Sequence, residues 1–236
     1  MRRAFLIPLV LLIYANPLHA QFEHVLRYSE VEAAAIVPGT ENQDSDTTDG
    51  FEDFDNIAAT SAAHALGTAS ATASQRSSLR DELGRVFVQG GSAATETGVG
   101  ASGASSHFLY RFRNVGGDLP VRVSWAIAQT GAGDVGIRFW DAAEPDMNPI
   151  LLAQRASGVS TGPLTAIEDI VVTSGSSYDL RVHGFIPGGE TGTTSFTFTL
   201  TPVPEPAAFP AVIAGWWLVG RRRRPSRCKQ EVPSNR

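Results

Sequence analysis

Cysteine and lysine each occur once, at Cys228 and Lys229, both within the last ten residues. The chain before them has no internal disulfide and no cysteine-ligated zinc, haem or iron–sulfur site, so packing alone must hold whatever fold it makes. Histidine is sparse: His24, His64, His107 and His183 lie far apart, with no H-x-H or H-E-x-x-H pair to support a metal or general-base role. No long stretch places apolar residues at helical spacing. Basic residues are scarce through the middle of the chain. Ten arginines face 22 acids between Gln21 and Val203, giving about −12 there, whereas the whole chain carries −5. Nucleic acid and anionic membrane surfaces are poor partners for such a segment.

What is present is most distinctive at the two ends. Arg2 and Arg3 precede a nearly continuous apolar run from Phe5 to Tyr14 and then Leu18-His19-Ala20. This is the layout of a secretory signal peptide over residues 1–20, with cleavage expected after Ala20 by signal peptidase once the secretion translocon has engaged the chain. The other end carries Val203-Pro204-Glu205-Pro206, an uncharged stretch over residues 207–220 containing Trp216 and Trp217, and the block Arg221, Arg222, Arg223 and Arg224. The stretch is short for a bilayer span, where about 20 residues are usual, but local thinning can accommodate it. Four arginines resist translocation, which leaves residues 225–236 as a cytoplasmic tail and the preceding domain outside. Pro204 and Pro206 keep the approach to the membrane extended, because proline disfavours helix at itself and at the residue before it.

This end resembles the PEP-CTERM sorting signal, with Pro204, Glu205 and Pro206 as the signature, residues 207–220 as the transmembrane helix and Arg221 to Arg224 as the basic stop. The resemblance covers residues 202–224. It implies recognition by an exosortase, a membrane-embedded transpeptidase-like enzyme. It also implies transient anchoring in the inner membrane of a Gram-negative-type bacterium, followed by release to the cell surface or an exopolysaccharide layer. The chain continues past the arginines, where such signals usually end. A plain anchor without processing is the alternative.

Residues 21–201 are expected to form one extracellular domain, with residues 21–56 acidic and flexible. Apolar and polar residues alternate with strand period over residues 107–115, 121–127 and 135–140. Residues 150–153, 167–173, 178–185 and 195–200 read as strands as well. Glycine-bearing pieces between them, such as Thr130-Gly131-Ala132-Gly133-Asp134, carry turn chemistry. Residues 56–79 are dominated by Ala, Ser and Thr; strand is favoured there, with a helix over 58–65 as the alternative. The expected fold is all-β, an antiparallel β-sandwich that is jelly-roll-like.

Within that domain, no residue set points sharply to chemistry. Asp44, Asp46 and Asp49, in an acid-rich run from Glu41 to Asp55, offer carboxylates for Ca²⁺, but the glycine falls one place late for an EF-hand and Asp55 stands where glutamate belongs. A solvated acidic loop is the favoured reading. Gly158-Val159-Ser160-Thr161-Gly162 matches the serine-hydrolase pattern without the strand-then-helix context it needs, because Pro163 follows directly. Trp125, Trp140 and Tyr178 are candidates to stack on sugar rings. Trp125 lies in the apolar register of its strand, and Trp140, beside Asp141 at a strand end, is the expected exposed platform. The leading expectation is a non-catalytic exported surface or matrix protein, without cofactor. The alternatives are a carbohydrate-binding module and a secreted hydrolase.

Overall fold

The computed structural model describes residues 22–80, 85–143, 149–156 and 162–203. Signal-peptide residues through Ala20, motif residues Pro204 to Pro206, the apolar stretch, the arginine block and most of the Gly158–Gly162 pattern therefore lie outside the described residues.

Twelve strands make two antiparallel sheets: β1 (Phe22–Val37), β2 (Thr40–Asp49), β3 (Phe54–His64), β4 (Gly67–Arg80), β5 (Arg85–Gly98), β6 (Ala101–Asn114), β7 (Leu119–Gly131), β8 (Asp134–Asp141), β9 (Leu151–Ala156), β10 (Leu164–Val172), β11 (Ser177–Ile186) and β12 (Gly192–Pro202). The first sheet has the order β2-β1-β6-β11-β8-β9 and the second β10-β7-β12-β5-β4-β3. The chain changes sheets at nearly every step after β5, so partners are mostly remote in sequence.

The alternating residues read from the sequence form the interior. Phe108, Tyr110 and Phe112 of β6, Val121, Val123 and Ile127 of β7, Val135, Ile137 and Phe139 of β8, and Phe196, Phe198 and Leu200 of β12 are buried in one cluster. Its aromatic rings are in mutual contact: Phe112 lies 5.5 Å from Tyr178, and Phe139 lies 5.6 Å from Tyr178 and 6.4 Å from Phe198 across the sheets. The Tyr178 hydroxyl oxygen accepts from the Thr173 amide at 2.7 Å, satisfying the polar tip of a buried phenol.

Strands β1 to β4 are built from smaller side chains. Val31, Ala33, Ala58, Ala71, Ala73 and Ala104 form one interior cluster, and Ala35, Val37, Ala62 and Ala69 another. Each such methyl contributes about 0.8 kcal/mol on burial, against roughly 1.5–3 kcal/mol for a large apolar side chain. Between the aromatic and alanine regions runs a polar seam. Asn56 Nδ2 donates to Ser29 Oγ at 3.2 Å, and Ser106 Oγ donates to Gln75 Oε1 at 3.3 Å. Arg27, also buried, lays its guanidinium 4.5 Å over the Phe54 ring and donates through Nη1 to the Glu52 carbonyl.

Two expectations are corrected. Residues 22–49 are not a flexible lead-in: they form β1 and β2, paired along their length from Tyr28↔Asp49 to Val37↔Thr40. The acidic run is largely a strand, because its alternate residues serve the neighbouring sheet. Asn42 Nδ2 donates to the Ser61 carbonyl at 2.7 Å, and the Asp44 carboxylate accepts the Ala59 amide at 2.9 Å. The free edge of β3 is thereby capped by side chains of β2, which blunts it against pairing with another chain. Residues 58–65 fall mainly in β3, so the helical alternative fails there. Small residues carry little intrinsic preference, and pairing with β4 decides.

Candidate functional site

On the solvent side of the first sheet, the strand order brings polar residues into rows. Antiparallel pairing sets Glu30 of β1 opposite His107 of β6, His107 opposite His183 of β11, and His183 opposite Gly136 of β8. The two imidazoles stack with ring centroids 6.4 Å apart. His183 Nε2 stands 3.6 Å from Asp134 Oδ2. Gly136 makes room for this: a Cβ there would meet His183 Cε1 at 2.6 Å, so any other residue displaces the ring. The next row places Glu32 opposite Ser105, whose Oγ donates to Glu32 Oε2 at 3.4 Å, and Ser105 opposite Phe185.

On the other side of the histidine row, Arg181 of β11 faces Arg138 of β8. Beyond that, Arg111 Nε and Nη2 donate to the two Asp179 oxygens at 2.6 and 2.7 Å, a bidentate pair in which Asp179 is buried. The pairing holds the Arg111 guanidinium above its ordinary range, the hydrogen bond to Asp179 being the main cause.

Burial against its neighbours, and then the charge of a protonated His183, push the His107 imidazole below the usual histidine range; Glu30 and Glu32 pull it back. The groups facing it are His183, Glu30 and Glu32. A histidine lowered in the folded state binds fewer protons than in the unfolded chain, so the folded state is favoured above about pH 6.5 and loses that advantage as pH falls through the unfolded value. His107→Gln is expected to flatten the acid limb of the stability curve, read as melting temperature at pH 7.5 and 5.5. An unchanged slope refutes the assignment.

The residues singled out from sequence fare unevenly. Trp140 is not exposed: it is buried at 2 % and lies under the Arg181 guanidinium, 5.0 Å away. It occupies the solvent-side register expected from its neighbours, yet a side chain from β11 covers it, so it cannot serve as a bare stacking platform. Trp125 is partly buried against the aromatic cluster, and Tyr178 is fully inside it. Asp44 and Asp46 point to the β3 side of β2, whereas Asp49 belongs to the opposite face, so the three do not converge. Among the described residues, no group of three or more potential ligands is arranged to hold a metal ion. Val203 is the last described residue, and its amide donates to the Pro120 carbonyl at 2.9 Å. The histidine row was missed, because 76 positions separate His107 from His183 and only the β6–β11 ladder joins them.

No family model and no curated protein matches the sequence. Among solved structures, the enzymatically active domain of Bacteriophage CBA120 tailspike protein 4 aligns at 11 % identity with a TM-score of 0.27, covering 62 % of this chain and 19 % of that one. The chain thus spans about a fifth of that protein's length, and the likeness is too slight to transfer anything from it.

Proposed function

We propose that the chain is an exported, non-catalytic surface or matrix protein, delivered by a cleaved signal peptide and sorted through its C-terminal tail by an exosortase. One observation carries the reading: Val203-Pro204-Glu205-Pro206, an uncharged stretch and four arginines follow one another in the order of the PEP-CTERM sorting signal they resemble, and the arginine block favours a cytoplasmic C-terminal side. The fold supports it in one respect. Strand β12 ends at Pro202 and Val203 is still tied to Pro120, so the motif begins where the last strand stops.

The sandwich suits display. The eight strands β5 to β12 supply β5-β12-β7-β10 to one sheet and β6-β11-β8-β9 to the other, an order we read as jelly-roll-like. Strands β1 to β4 extend both sheets beyond it. The domain's strands contain no cysteine, so packing and not a disulfide closes its core.

Mass spectrometry of the protein from its native host tests the proposal. The expected mature chain begins at Gln21 and ends at or near Pro204–Pro206. A chain still ending at Arg236 overturns the processing step and leaves a plain anchor, and one beginning at Met1 overturns export by a cleaved signal.

A further inference from the structure

Arg138 and Arg181 stand directly opposite each other on the solvent side of the first sheet, and both are exposed. Like charges so placed across a ladder repel, and neither forms an ion pair with a described residue. Nearby acids are engaged elsewhere: Asp179, two residues before Arg181, holds Arg111, and Asp134 faces His183. The neighbours in the same row, Leu109 beside Arg181 and Leu152 beside Arg138, carry no charge. The domain around them is strongly acidic. Two uncompensated arginines side by side in such a domain are an arrangement that an external anion completes. Arg181 is also held in place, its guanidinium resting on buried Trp140, so less ordering is needed on binding. The planar fork of a guanidinium matches a carboxylate.

We infer that this face binds an anionic polysaccharide, a uronate-bearing chain whose carboxylate sits between Arg138 and Arg181. Duplex nucleic acid, with a charge every ~1.7 Å of axis, would set phosphates over the flanking Glu30, Glu32 and Asp134. A polyuronate carries one carboxylate per ring, a much sparser line of charge. Phe185 lies four residues beyond Arg181 on the same face, about 13 Å along the strand. It is 43 % exposed and borders a trough of about 570 Å³ that Ile36, Ala34, Ser105 and Glu32 also line. An apolar ring face stacks on Phe185 while hydroxyls meet Ser105 and Glu32. This site is independent of the sorting signal, so an uncleaved tail would leave it standing.

The test is isothermal titration of the full chain in non-ionic detergent with polygalacturonate, and with dextran, sodium phosphate and polyglutamate as comparators. Polygalacturonate is expected to bind and dextran not. Arg138→Glu, which turns the repelling pair into an attracting one, should weaken binding at least tenfold with an unchanged or higher melting temperature, and Phe185→Ala should weaken it severalfold. No binding by the wild-type chain, or undiminished binding by Arg138→Glu, overturns the inference. So does a lowered melting temperature in Arg138→Glu, because the arginine then has a structural partner. Equal binding of phosphate at matched charge reduces the site to one for free oxyanions, and equal binding of polyglutamate makes the ligand an acidic peptide; either result overturns the polysaccharide assignment.

Discussion

Truncating Phe139 to alanine is expected to lower the unfolding free energy by about 4 kcal/mol, from lost transfer energy and the cavity left behind. Phe139 is fully buried on β8, a short strand of eight residues. Its ring contacts Phe112 of β6 at 6.2 Å, Tyr178 of β11 at 5.6 Å and Phe198 of β12 at 6.4 Å, the last in the facing sheet. Removing it therefore loosens the contacts among three strands of one sheet and those between the layers. The surrounding rings are large and stiff and cannot collapse far into the gap, which keeps the cost from falling to the low end of the usual range. For a domain of this size the melting temperature should fall by about 10 °C. Phe139→Leu, which keeps most of the volume, should cost well under half as much. A loss below about 1 kcal/mol for the alanine variant would mean the aromatic stack is not the centre of the fold.

The second large effect is electrostatic. Arg111→Leu leaves Asp179 buried, its side chain 2 % exposed, without the guanidinium that holds both its oxygens. Orphaning a buried carboxylate is costly, and because Arg111 itself is 41 % exposed the lower end of the range for broken buried pairs applies, about 3 kcal/mol. The double variant Arg111→Leu/Asp179→Leu should recover much of this, because it removes the stranded charge instead of exposing it to an apolar setting. Equilibrium denaturation of the wild type, both single variants and the double variant reads the coupling directly. Additive losses would show that the pair is a surface ornament.

The fold was legible wherever large apolar residues alternate with polar ones. Phe108, Tyr110 and Phe112, or Val121 and Val123, announce a face because only a strand puts every second residue on one side. The glycines of the β7–β8 turn announce a reversal: Gly131 and Gly133 take φ of 70° and 129°, which other residues avoid. Strands β1 to β4 were harder to read. Alanine, serine and threonine look alike whether they point inward or outward, and the acidic β2 is set by what it caps, not by its own composition. Trp140 misled for a related reason. Alternation with Phe139 assigns its register, but Arg181, whose guanidinium lies over its ring, is 41 positions later on the adjacent strand. The histidine row and the arginine pair were invisible for the same cause, since neither exists until strand order is known.

One feature of the strand order bears on mechanics. The chain leaves the sandwich from β12, which lies inside its sheet with β5 on one flank and β7 on the other. A pull delivered through Val203 runs along that strand, so both ladders are loaded in shear and their bonds must fail together. An edge strand would instead be peeled one bond at a time. A domain tethered through this end would resist drag by the route its own topology provides.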